Sequence, residues 1–141
     1  MNNDVKQLLL ADGQSIPQEG FGLYKIIDQS TITSAIKYAY DAGYRLFDTA
    51  QLYKNEAEVG NALQELGLPR EDLFITTKVS EPNQGFKQTI ASVKDSLQKL
   101  RLDYVNLLLI HWPIERAFFD TWAALEELKK GGLTRSIGVS N

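Results

Sequence analysis

Along the 141-residue chain the apolar positions switch repeatedly between a period of two and a period of three to four. Those are the spacings of strands and helices. In 7–16, two short apolar arms flank Ala11-Asp12-Gly13-Gln14, which predicts a β-hairpin turning at Asp-Gly. Pro17 and Gly20 punctuate the chain before a short apolar run at 21–24, a first buried strand. Ile32, Ala35, Ile36, Ala39 and Tyr40 then fall on one face of a helix. Ser30, Thr31 or Asp28 caps its start and Gly43 stops it. Residues 45–49 form a second strand. Asn55 before Glu56 and Glu58 is cap chemistry with acids in the first turn. It opens a helix with Val59, Ala62, Leu63 and Leu66 on its apolar face and Gly67 at its end. A third strand at 73–77 leads to a third helix through Phe86, Ile90, Val93, Leu97 and Leu100. The run 104–110 is Val- and Leu-rich with almost no alternation, as in a strand covered on both faces. Trp122, Leu125 and Leu128 mark a fourth helix closed by Gly131-Gly132, and 136–140 is a fifth strand.

The order is a hairpin, four β-α units and a last strand. Such alternation means parallel βαβ units, in either a doubly wound sheet or part of a (β/α) barrel. No linker or low-complexity tract divides the chain, so residues 1–141 read as a single α/β domain. Composition adds exclusions. Fifteen basic against eighteen acidic residues leave no excess for binding nucleic acid through its phosphates. The absence of cysteine excludes disulfides and thiolate chemistry, and one histidine excludes a multi-imidazole site. No apolar run approaches the ~20 residues of a membrane span, and residues 1–4 lack the positive start of a signal peptide. A cytoplasmic location is the expectation.

In both architectures ligands meet the C-terminal ends of the strands. The second strand ends in Asp48, with Tyr53 five residues on; the third runs into Lys78; the fourth into His111 and Trp112-Pro113; the fifth into Ser140-Asn141. Singly, each has a plain structural reading: a loop cap, a packing ring, a snorkelling cation, a satisfied histidine. Together they bring titratable or amide groups to one rim from successive strands, where a buried charge is costly unless paired or used. Gly20-Phe21-Gly22 matches the opening of a dinucleotide fingerprint, but its third glycine would fall at Lys25 and no helix starts there. Scattered carboxylates and one His give no metal-ligand spacing.

Gly20-Phe21-Gly22, Phe47-Asp48-Thr49-Ala50 through Tyr53, Asn55-Glu56 with Val59-Gly60, Ile75-Thr76-Thr77-Lys78, Leu109-Ile110-His111-Trp112-Pro113 and Ile137-Gly138-Val139-Ser140-Asn141 together resemble the aldo-keto reductase superfamily. The general look is nearest to its bacterial diketogluconate, glyoxal and methylglyoxal reductases. The resemblance implies a (β/α)8 TIM barrel that reduces aldehydes and ketones with NADPH, NADH being the alternative, and without metal. It implies Tyr53 as the general acid, Lys78 and Asp48 as an ion pair beside it, and His111 as a donor to the carbonyl oxygen. Ser140 and Asn141 match the pair holding the nicotinamide carboxamide, and Gly22 belongs with the cofactor contacts. Tyr24 and Trp112 match positions lining the substrate pocket. A phenol ordinarily titrates near ~10, and an adjacent ammonium favours its ionised form. Three departures bear on substrate: Lys54 stands where relatives often have a small or polar residue, Ser80 near a frequent aromatic, and Asn106 for a frequent aspartate.

A (β/α)8 barrel typically takes ~250 residues. The 141 present hold five strands and four helices, so the expectation is a truncated barrel lacking strands six to eight and most of the cofactor clamp. Phe21, Phe47, Ile75 and Leu109 are then expected as exposed or repacked apolar surface. Open edges would pair with a second copy or a complementing C-terminal half. An inert, associating barrel fragment and a nicotinamide-sensing module are the alternatives to a reductase of small carbonyl substrates.

Overall fold

The computed structural model describes residues 5–141; the signal-peptide reading of residues 1–4 falls outside them. The hairpin forms as expected: β1 (Gln7–Leu9) pairs antiparallel with β2 (Ser15–Pro17). Gly13 takes the positive φ that its turn needs. Five strands then make one parallel sheet: β3 (Gly20–Gly22), β4 (Leu46–Asp48), β5 (Phe74–Val79), β6 (Val105–Ile110) and β7 (Thr134–Val139). Their spatial order is their order in the chain. A doubly wound sheet reverses direction at a switch point, so this is the succession of a (β/α) barrel. Helices α1 (Gln29–Asp41), α2 (Glu56–Leu66), α3 (Phe86–Leu100) and α4 (Phe118–Lys130) each pack on the next.

Of the three caps open to α1, Asp28 is used: its carboxylate accepts from Thr31 N at 3.0 Å and from the hydroxyls of Ser30 and Thr31. Asn55 precedes α2 but does not cap it with its side chain. That amide is wholly buried and turned to neighbouring loops instead. The first sheet strand sits one residue earlier than expected and stops at Gly22, where the chain turns outward to leave Tyr24 exposed. Four single-turn 3₁₀ segments, among them Gln51–Tyr53 and Glu81–Asn83, have no counterpart in the apolar spacing.

Strand parity corrects one expectation. Phe47, Ile75 and Leu108 are essentially inaccessible and belong to the core between sheet and helices. Phe21 is partly buried beside them, with Tyr44 edge-on at 5.8 Å. Alternation along a strand then gives the opposite, concave face to Asp48, Thr76, Lys78 and Leu109. Of the four residues expected as exposed or repacked apolar surface, only Leu109 lies on that open face, while Phe47 and Ile75 are buried under the helices. A one-residue change of parity exchanges the faces wholesale.

Close packing sets one glycine. A Cβ on Gly60 of α2 would run into the backbone of Lys99 and Leu100 in α3. At the N-terminal end of the sheet the hairpin turn is latched to the far side of the domain. Asp12 accepts from Ser136 Oγ on β7 at 2.7 Å and from Lys129 Nζ on α4 at 2.9 Å. These bonds hold its carboxyl at about 2.

Candidate active site

Polar side chains converge at the opposite, C-terminal end. Lys78, on the concave face of β5, places Nζ 2.7 and 2.9 Å from the two oxygens of Asp48 at the end of β4. The same ammonium donates to the Thr49 carbonyl at 3.1 Å and lies 3.4 Å from Tyr53 Oη. Lys78 is buried, so its charge stands because a carboxylate, a carbonyl and a phenol surround it. Tyr53 closes the 3₁₀ turn Gln51–Tyr53, and that turn brings the ring back over the sheet.

His111 follows β6, with its ring centroid 5.7 Å from that of Tyr53 in an edge-on contact. Burial, and then the Lys78 ammonium, lower its pKa from the ordinary 6.5, so the imidazole is neutral at pH 7. Its Nδ1 is buried and has no hydrogen-bond partner among the described residues. Tyr24 packs on the other side of Tyr53 at 5.0 Å, and Trp112 lies nearly parallel to His111 at 6.3 Å. Asp48, Tyr53, Lys78 and His111 thus come together, and the aromatic row Tyr24, Tyr53, His111, Trp112 crosses three loops. Tyr24 and Trp112 remain about half exposed, at 60% and 47%. Both side chains therefore keep surface open to a small ligand.

Ser140 and Asn141 follow β7 on the same rim. Asn141 Nδ2 donates to the His111 carbonyl at 3.0 Å and to Ser140 Oγ at 2.9 Å. Among the described residues, its own Oδ1 and the Ser140 hydroxyl proton have no partner. One acceptor and one donor side by side complement a carboxamide, which offers an N–H and a C=O. The residues present therefore fit the nicotinamide end of a dinucleotide. Gly22 ends β3 in register with Asp48, with open space where a side chain would stand. No described helix is long and apolar enough to cross a membrane, and the described residues hold no acidic, His or Cys cluster able to bind a metal.

The three departures have local explanations or consequences. Lys54 adopts the left-handed backbone at φ 58°, a conformation that glycine accepts without cost. Ser80 is buried and gives its N–H and hydroxyl to Gln51 Oε1, so it knits loops. Asn106 Oδ1 accepts from Arg70 Nη2 at 2.8 Å and from Ile75 N at 2.9 Å, far from the rim.

Sequence spacing misses the groups behind the tetrad. Glu56, which it reads as a first-turn acid, is 4% exposed, and burial raises its pKa. It accepts from Thr77 Oγ at 2.6 Å and Ser96 Oγ at 3.0 Å. Thr77 is the residue before Lys78 and faces the other way, so this carboxyl anchors the back of the strand that presents the lysine. Gln51 and Gln84 also escape it, because polar residues in loops carry no periodic signal.

The Aldo/keto reductase family matches residues 20–141, and the chain belongs to that family. It is 47% identical over 132 residues to a glyoxal reductase of Bacillus subtilis, covering 94% of this chain and 48% of that protein. It is 50% identical over 130 residues to the methylglyoxal reductase DkgB of Escherichia coli O157:H7, covering 90% and 48%. A crystal structure of an aldo/keto reductase from Brucella melitensis superposes with a TM-score of 0.91 at 45% identity, covering 97% of this chain and 54% of that one. A Bombyx mori aldo-keto reductase in complex with NADP gives 0.85 at 33% identity, covering 96% and 50%. The chain spans about half the length of the curated relatives it matches. Members of the family are oxidoreductases that reduce carbonyl groups with NADP(H).

Proposed function

We propose that this chain carries the proton-donating part of an NADPH-dependent carbonyl reductase acting on small aldehydes and ketones. The observation that carries the reading is Tyr53 Oη held 3.4 Å from a buried lysine that is itself neutralised by Asp48. NADPH, when bound, supplies the hydride. Ser140 and Asn141 hold its carboxamide at the end of β7, and Gly22 leaves room beside Asp48. Tyr24 and Trp112 flank the substrate and keep water from the carbonyl.

Tyr53 gives its phenolic proton to the carbonyl oxygen as negative charge gathers there. The Lys78 ammonium offsets the phenolate that this leaves, and Asp48 keeps the ammonium placed. With Nδ1 sealed off, His111 donates from Nε2 to the same oxygen, as a neutral imidazole can. The test is Tyr53→Phe, assayed with NADPH and a reactive small aldehyde. Turnover falls by about 10²-fold or more, with the fold and NADPH quenching of Trp112 retained. Unchanged turnover sinks the assignment.

A second reading rests on another observation. Among the described residues β3 pairs only with β4, and β7 only with β6. Such free edges suit pairing with a second copy or with a complementing C-terminal half. A monomer in sedimentation across the assay concentrations removes the second copy from consideration.

A further inference from the structure

At four successive junctions of the C-terminal rim, a carboxamide side chain bridges one β-α connection to the next. Asn55, wholly buried, accepts from Thr49 Oγ and donates to the carbonyls of Leu23 and Ile26 at 2.9 and 2.8 Å. It fastens the loop carrying Tyr24 to the end of β4. Gln51 opens the turn that carries Tyr53. Its Oε1 accepts from Ser80 N and Asn83 Nδ2, both at 2.9 Å, and its Nε2 donates to Ser92 and Ser96. It fastens that turn to the chain two residues beyond Lys78. Gln84, 7% exposed, donates to the Trp112 carbonyl at 2.7 Å and accepts from Ile114 N at 2.9 Å. It fastens the loop after β5 to the loop after β6. Asn141 repeats the pattern between the ends of β7 and β6.

We propose that Gln51 and Gln84 are positioning residues, each setting one side chain of the reductase site through the loop that bears it. The assignment rests on the reading of the rim as a carbonyl-reducing site. An amide donates and accepts at once and has no proton to lose in the working pH range. A belt of amides therefore holds loops in register without adding charge near Lys78 and Asp48. Gln51 sets the distance from Tyr53 to Lys78, which governs proton donation. Gln84 sets Trp112, which meets substrate. One kind of bond at two junctions thus controls two different kinetic parameters.

The experiment uses Gln51→Ala and Gln84→Ala with Gln51→Glu and Gln84→Glu, assayed with NADPH and a small aldehyde. Amide hydrogen exchange and the indole N–H resonance of Trp112 are read on the same samples, with Trp122 on α4 as internal control. Gln51→Ala lowers kcat by about tenfold or more with KM unmoved, since a misplacement near 1 Å costs up to ~100-fold. It also exposes Ser80 N–H to exchange. Gln84→Ala raises KM several-fold with kcat held, exposes Ile114 N–H and shifts Trp112 alone. Gln51→Glu recovers part of the kcat, because Ser92 can turn its hydroxyl from the Thr89 carbonyl to the new carboxylate. Gln84→Glu keeps an acceptor for Ile114 N–H but leaves KM raised and Trp112 shifted, because the Trp112 carbonyl has no proton to offer the new carboxylate.

Movement of the same kinetic parameter by both alanine variants overturns the proposal, as does unchanged exchange at Ser80 and Ile114. A parent chain without turnover, but with the exchange and Trp112 responses as expected, overturns the reductase reading and leaves the belt standing.

Discussion

The two ends of the parallel sheet are held by different chemistry. At the C-terminal end, a buried ammonium and its carboxylate are surrounded by neutral amides that join loop to loop. At the N-terminal end, an exposed hairpin is latched by Asp12 to Ser136 and Lys129, and Tyr104 lies between the guanidiniums of Arg70 and Arg135 at 4.0 and 4.1 Å. The first end concentrates charge where a ligand can use it and joins its loops through bonds that add no further charge. The second spreads charge over surface contacts whose work is to hold elements together. That division matches the general rule for barrels, with chemistry at the strand C-termini and stability at the other face.

The comparison is broken most severely at the ion pair. Asp48→Asn leaves the Lys78 ammonium uncompensated in a site where its side chain is 8% exposed. Thermal or urea unfolding then shows a loss of about 3 kcal/mol, together with the loss of turnover. A smaller effect is purely structural. Gly60→Ala forces α2 away from α3 and costs about 2 kcal/mol; if the ends are independent, the KM for aldehyde stays put.

Asn106→Asp sharpens the comparison in the other direction. It supplies a carboxylate to Arg70 at the N-terminal end, where the amide oxygen already accepts at 2.8 Å. A charge-assisted bond there raises stability by about 1 kcal/mol, seen as a higher Tm with unchanged activity. The smallest effect is acid release of the hairpin. The Asp12 carboxyl is held at about 2 against 3.8 when free. Its contribution is therefore whole above pH 3.8 and fades as pH falls through the window down to about 2. Chemical shifts of the turn at Gly13 report it, and Asp12→Asn removes that pH dependence.

Much of the rim was legible because strand ends are legible. Asp48, Lys78 and His111 each close an apolar run, and Tyr53 follows at a distance that one turn can fold back. Parity was harder. An incomplete ring leaves Phe47 and Ile75 expected as exposed or repacked surface, yet Asp48 and Lys78 occupy the concave face, and their neighbours must then face the helices. Asn55 had the residue type and place of a cap; only the positions of Leu23, Ile26 and Thr49 show that its amide is used elsewhere. The bond from Asp12 to Ser136 joins residues 124 apart, and no local spacing announces such a contact. Gln51 and Gln84 look like ordinary loop polars until the loops are in place.

Strands that neighbour in sequence also neighbour in space, and each helix rests on the one before it. Growth can therefore proceed one β-α unit at a time, each new unit docking on a finished one with a short loop to close. The hairpin precedes every β-α unit, yet it cannot engage β7 and α4 until those two elements are in place. In pulse-labelled exchange during refolding, the Asp12 turn gains protection after β4 and β5. The hairpin thus works as a reporter of when α4 and β7 have docked.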